Sequence, residues 1–155
     1  MDKGRQGEKL RIVIDASVIA KWIIPGEPWE EQAKLLRNMV VSGDVEAYVP
    51  TLLLYEVTSV ILRAFFRGVL KLSDGIEALK ALRYIGFSIK AIEWEDLVEI
   101  LNIATAAKLT VYDSTYIYLA KKLNAQLVTA DRQMKKSCEN ITRATLLEEL
   151  NGLSI

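Results

Sequence analysis

Four acidic side chains stand beside apolar runs that give them little reason to be charged. Asp15 follows "RIVI", Glu56 lies inside "PTLLLYEVTSVILRAFF", Asp113 interrupts "LTVYDSTY", and Asp131 follows "QLVTA". Asp15, Asp113 and Asp131 each sit at a strand-to-helix or loop-to-helix junction. There an aspartate oxygen can accept backbone N–H bonds as a helix cap worth about 1 kcal/mol. Taken singly, each of the three reads as a cap first. Glu56 does not, because its helix is too apolar to be mostly solvated, and an ionised carboxylate there is costly unless something positive meets it. Two such groups about 4 Å apart would repel by roughly 4 kcal/mol at an effective dielectric of 20. A divalent cation reverses that sign. Mg²⁺ and Mn²⁺ take hard oxygen ligands, and Mg²⁺ keeps positions for water and phosphate oxygens. The chemistry open to such a set is metal-assisted hydrolysis at phosphorus.

Several other chemistries are absent from the chain. It has no histidine, which removes imidazole bases, imidazole zinc ligands and the Ser-His-Asp and Cys-His arrangements. Neither G-x-G-x-x-G nor G-x-x-x-x-G-K-[ST] occurs, so dinucleotide and nucleoside triphosphate sites have no support. Twenty basic and twenty acidic residues cancel, so any polyanion must be held by a local patch rather than by net charge. Cys138 is the single cysteine; no internal disulfide can form, which suits a reducing cytoplasm. The start, "MDKGRQGEKL", lacks the apolar stretch of a secretion signal and is expected to be a flexible extension over residues 1–9. The apolar stretch over 47–66 contains Pro50, Glu56 and Arg63. Each charge would cost about 2.5 to 3.5 kcal/mol at a bilayer centre, so a buried or interface helix is expected instead.

The elements that must position the acids follow from period and punctuation. At 155 residues, 51% hydrophobic and 26% charged, the chain fits one folded domain, expected over 10–155. "RIVIDAS" reads as a strand, and "PWEEQAKLLRNMVVSG" as a helix with Pro at its head and Gly at its end. "EAYVP", "FSIKAI", "AQLVTA" and "NITRAT" read as further strands. Helices are expected from about Thr51 to Arg67, over "LSDGIEALKALRYIG" and "WEDLVEILNIATAAKL", from Ser114 to about Asn124, and near "DRQMKK". Apolar strands alternating with helices predict a three-layer α/β/α fold around a mostly parallel central sheet. Ligands of such sheets collect at the carboxyl ends of the strands, where Asp15 and Asp131 both emerge.

"VIDASVIAKW" with Asp15, "PTLLLYEV" with Glu56, and "LTVYDSTYIYLAKKLNAQLVTAD" with Asp113 and Asp131 together resemble a PIN domain of the VapC toxin type, over about Leu10 to Leu150. The resemblance implies a ribonuclease whose four acids bind Mg²⁺ or Mn²⁺, a homodimer, and restraint by a small antitoxin protein. Asp15, Glu56, Asp113 and Asp131 match the acidic positions, and Ser17 and Thr129 resemble the small hydroxyl residues that support them. Phosphate contacts are expected from Arg63, Arg132, Lys135 and Lys136, with Lys21, Lys121 and Lys122 as further candidates. Tyr112, Tyr116 and Tyr118 could stack bases, but their clustering around a helix start favours packing. Three readings compete with a toxin: an RNA-processing nuclease of the same fold, a non-catalytic RNA-binding relative, and a phosphohydrolase with Asp15 as nucleophile. The last commonly shows D-x-D-x-T, and Ser17 holds its second aspartate position.

Overall fold

The computed structural model describes residues 7–151. The first six residues of the expected extension over 1–9, and residues 152–155, lie outside the described residues. Among the described residues five strands form the sheet: β1 (Leu10–Ile14), β2 (Val45–Pro50), β3 (Ser88–Lys90), β4 (Gln126–Thr129) and β5 (Ala144–Leu146). Their spatial order is β3, β2, β1, β4, β5, and every pairing is parallel. From β1 the chain winds outward through β2 to β3, then crosses back to β4 and out to β5. The direction of winding therefore reverses between β1 and β4, and that reversal opens a crevice at their carboxyl ends.

Among the described residues seven α-helices cover the sheet: α1 (Ala16–Ile23), α2 (Glu30–Ser42), α3 (Leu52–Phe66), α4 (Leu72–Leu82), α5 (Asp96–Ala107), α6 (Val111–Lys122) and α7 (Arg132–Cys138). The period of two along the strands sorts the core into two halves. Ile12 and Ile14 of β1 and Val128 of β4 face α1, α2 and α3, through Val18, Ile19, Leu36 and Val57. Val13 and Leu127 face the other way, against Ile100 of α5, Ile117 of α6 and Met134 of α7. All three apolar residues at the end of β1 have no exposed surface, which is why that strand reads as a continuous hydrophobic run.

Three elements differ most from the sequence expectation, and one is β5, which begins at Ala144, four residues after the start of "NITRAT". "ASVIAKWI" forms α1, where the sequence reads as a loop after β1; its β-branched residues mask a short helix that Asp15 caps. Helix α6 begins at Val111, three residues before the expected start, because Thr110 is its cap and accepts the Asp113 N–H at 3.0 Å. Asp113 is thus a first-turn acid and not the cap itself. Among the described residues no helix is long and apolar enough to cross a membrane.

Helices α3 and α4 meet where Gly75 leaves room for the buried Ile61. A Cβ at Gly75 would stand 2.4 Å from Ile61 Cγ2, with Leu70 Cδ2 at 3.4 Å. Alanine would gain helix propensity of up to about 1 kcal/mol at this position, but overpacking costs about 1 to 3 kcal/mol. Gly75→Ala is therefore expected to lower the unfolding free energy in urea by roughly 1 kcal/mol. A stabilised variant would show that the two helices separate freely.

Candidate active site

Asp15 ends β1 and caps α1 in one residue. Its backbone N–H donates to the Val128 carbonyl at 3.2 Å, continuing the pairing of β1 with β4. Its side chain turns into the crevice and is only 5% exposed. Oδ1 accepts from the Ser17 N–H at 2.8 Å and from Ser17 Oγ. Oδ2 accepts from Thr129 Oγ1 at 2.6 Å. Both hydroxyls are also acceptors: the Ala130 N–H donates to Ser17 Oγ at 3.0 Å, and the Asp131 N–H to Thr129 Oγ1 at 3.0 Å. Two relays of hydrogen bonds therefore tie the Asp15 carboxylate to the turn between β4 and α7. The hydroxyls singled out in the sequence both reach Asp15.

The same turn presents Asp131, which caps α7. Its Oδ1 accepts the Gln133 N–H at 2.9 Å and the Met134 N–H at 3.1 Å, and among the described residues no protein donor reaches Oδ2. Glu56 projects from the second turn of α3 and accepts the Tyr116 hydroxyl at 2.7 Å on Oε1. Tyr116 is 1% exposed, and burial beside Glu56 raises its pKa far enough that the hydroxyl stays a donor. This partner was not distinguished in the sequence from the packing tyrosines around it. Its position three residues after Asp113, on the same helix face, was the available signal.

Asp15, Glu56, Asp113 and Asp131 line one cleft of about 730 Å³, together with Ser17, Tyr55, Arg63, Tyr112 and Tyr116. The structure thus brings all four acids to one place, and Arg63 of α3 with them. Among the described residues no three of the acids are drawn tightly enough together to make a ready-made ion cage; they face a shared space. Arg132 and Lys135 are placed elsewhere. Arg132 holds Glu148 through paired 2.8 Å bonds, Lys135 holds Glu149 at 2.9 Å, and neither lines the cleft, nor does Lys136. Lys21, Lys121 and Lys122 likewise face Glu27, Glu99 and Asp96.

The electrostatics of the cleft are those of acids short of a counter-charge. Burial pushes the Asp15 carboxyl up to about 6, against the pull of the Ser17 and Thr129 bonds, and Asp113 adds repulsion. Glu56 is raised by burial and by Asp113, with the Tyr116 bond and the Arg63 charge opposing. Asp113 is raised by burial and by Asp131, with only the Thr110 bond opposing. Among the described residues no lysine or arginine forms an ion pair with any of the four. A set of hard carboxylate oxygens, mutually repelling and fixed by neutral donors, fits a hard divalent cation.

The family scan matches the PIN domain over residues 12–140, so the chain belongs to the PIN domain family. Ribonuclease VapC3 of Pyrobaculum aerophilum is similar, with 33% identity over 129 residues that cover 81% of this chain and 92% of the relative. Among solved structures, FitAcB of Neisseria gonorrhoeae superposes with TM-score 0.65 at 15% identity, covering 90% of this chain and 99% of its own. VapC20 of Mycobacterium tuberculosis, described as a toxin that cleaves the sarcin-ricin loop, gives TM-score 0.61 at 11% identity, with 81% and 94% covered. At those identities the two structures establish the shared α/β/α fold.

The raised Asp15 carboxyl makes a stability prediction for the metal-free protein. Its folded pKa of about 6 lies above the ordinary aspartate value of 3.8, so the stability it contributes is present below about pH 4 and is lost as pH rises through 6. The loss is on the order of 3 kcal/mol. In EDTA, denaturant titrations should show stability falling between pH 4 and 6, and Asp15→Asn should flatten that fall and be the more stable chain at pH 7. Equal pH slopes in the two proteins would show that Asp15 is not held as an uncompensated buried charge.

Proposed function

We propose that the chain is a metal-dependent ribonuclease that hydrolyses RNA phosphodiester bonds, acting as the toxin of a toxin–antitoxin pair. The observation that carries this reading is the single cleft lined by Asp15, Glu56, Asp113 and Asp131, with no cationic side chain among the described residues paired to any of them. The 33% identity to a VapC ribonuclease supports the choice of RNA and of the toxin role.

In this reading Asp15, Asp113 and Glu56 hold Mg²⁺ or Mn²⁺, with Asp131 completing the pocket through its unbonded Oδ2 or holding a second ion. When bound, the ion supplies Lewis acidity to water and neutralises charge on the phosphate oxygens. The protein supplies the rest. Ser17 and Thr129 keep Asp15 turned into the cleft, and Tyr116 aims Glu56. Arg63 is seven residues after Glu56 on the same helix face, about 10 Å along the axis, and it takes a neighbouring phosphate. With no histidine in the chain, a carboxylate of the cleft accepts the proton of the attacking water. Attack by water leaves 5′-phosphate and 3′-hydroxyl ends. A second copy of the chain and a small antitoxin are the protein partners, and exposed Leu62 and Phe66 on α3 with Leu72 and Ile76 on α4 offer them apolar surface. The compartment is the cytoplasm.

An RNA-cleavage assay with Mg²⁺ or Mn²⁺ tests the reading. The parent chain should cut RNA to 5′-phosphate and 3′-hydroxyl ends, EDTA should stop it, and Asp15→Asn should lower the rate by about 100-fold or more, the upper range seen for disturbed metal sites. Undiminished activity in EDTA, or 2′,3′-cyclic phosphate products, would defeat it.

For Arg63→Ala, RNA affinity should weaken and the slope of log affinity against log salt should fall by about 1. An unchanged slope would remove Arg63 from the phosphate path.

A further inference from the structure

We propose that the groove between α1 and the C-terminal end of α3 is a second phosphate site, with Arg67 as its cation, and that it takes the RNA backbone where the strand leaves the acidic cleft. The site adds an anchor away from the acids, and it rests on the ribonuclease reading for the identity of the strand.

The groove encloses about 260 Å³. Its lining is aliphatic at Ile24, Ala64 and Val69 and charged at Glu27, Arg63 and Arg67. Ala20, Val60 and Arg63 line both this groove and the acidic cleft. The two spaces therefore share a wall, and a strand can pass from one to the other along the surface of α3.

The charges in the groove do not cancel. Lys21 stands 3.9 Å from Glu27, so the one carboxylate in the lining has a cation of its own. Arg63 and Arg67 form no ion pair among the described residues, whereas Arg132 is held by Glu148 through paired bonds. Arg67 is the C-terminal cap of α3, and the end of a helix carries about half a negative charge. Two guanidiniums bring about four times that charge with the opposite sign, so the groove remains cationic.

The spacing along α3 gives the groove a direction. Arg67 follows Arg63 by about 6 Å along the axis and on the same face. Ser59 stands between Glu56 and Arg63 in the lining of the cleft. Its hydroxyl has no hydrogen bond among the described residues, while that of its neighbour Thr58 turns back to the Leu54 carbonyl at 2.6 Å. Glu56, Ser59, Arg63 and Arg67 thus mark one line: an acid at the reacting centre, a hydroxyl, then two planar donor forks of the kind that grip phosphate oxygens in pairs. A backbone laid along this line meets the acids first and the arginines after.

The test is the salt dependence of binding to a fluorescein-labelled uridine decamer, followed by fluorescence anisotropy in Ca²⁺, an oxygen-seeking ion of looser geometry than Mg²⁺. Arg67→Ala should lower the slope of log affinity against log salt by about 1, and the double variant Arg63→Ala, Arg67→Ala by about 2. Arg67→Lys keeps the charge and should keep the parent slope. Lys136→Ala removes an equal charge from an exposed residue that lines neither space, and it too should keep the parent slope. An unchanged slope in Arg67→Ala, a double variant no lower than Arg63→Ala alone, a lowered slope in Arg67→Lys, or an equal fall in Lys136→Ala would overturn the second site. A parent that does not bind the decamer would do the same. So would a slope change in Arg67→Ala that tracks a shift from dimer to monomer in sedimentation, since the groove would then be a contact between subunits. The expected slopes in a protein that cuts no RNA would leave the groove as a phosphate site and remove the nuclease reading. Cleavage by a protein whose slope ignores Arg67 would do the reverse.

Discussion

Asp15 is a carboxylate at the inner end of the central strand, and every protein group that touches it is a neutral donor. Three hydrogen bonds, from the Ser17 amide, the Ser17 hydroxyl and the Thr129 hydroxyl, favour its charged form. Burial opposes them and wins, since the net effect is a carboxyl pushed up to about 6. A chain selected for stability alone would place an apolar residue or an asparagine here. Positive charge from outside the chain would lower the cost of holding this acid, and the other three acids lining the cleft would gain from it too.

The architecture explains why the acids can be so far apart in sequence and still share a space. The winding of the sheet reverses between β1 and β4, and the two strands deliver Asp15 and Asp131 to the same edge. The hydroxyls of Ser17 and Thr129 then couple the two turns, each accepting from the backbone beyond β4 and donating to Asp15. Glu56 and Asp113 come from helices on opposite faces of the sheet, α3 and α6, and Tyr116 reaches from α6 to hold Glu56. Helix capping and the lining of the cleft use the same residues. Asp15 and Asp131 are also helix caps, so the features that start α1 and α7 are the ones that face the cleft.

That double use governs how much could be read from the sequence. The α/β/α class and the four acids were legible because buried parallel strands are continuous in apolar residues and because Glu56 has no structural excuse inside "LLLYEV". Helix α1 was not, since "ASVIAKWI" is rich in residues that suit strands and helices alike. The start of α6 was misplaced because residues 114–120 are buried without a break, which erases the amphipathic period that normally marks a helix. The roles of the basic residues depend on long-range pairing. Nothing near Arg132 in the chain announces Glu148 as its partner, sixteen residues away. Likewise, only the folded chain separates the open ring of Tyr112 from the buried ones of Tyr116 and Tyr118.

The account stands on the acids forming one nest for a divalent ion, and calorimetric titration of Mn²⁺ into the protein addresses this without reference to any substrate. Saturable binding at a whole-number stoichiometry, lost or weakened by at least about tenfold in Asp15→Asn and in Glu56→Gln, is the predicted result. Mn²⁺ isotherms that are indistinguishable in the parent chain and in both variants would contradict it.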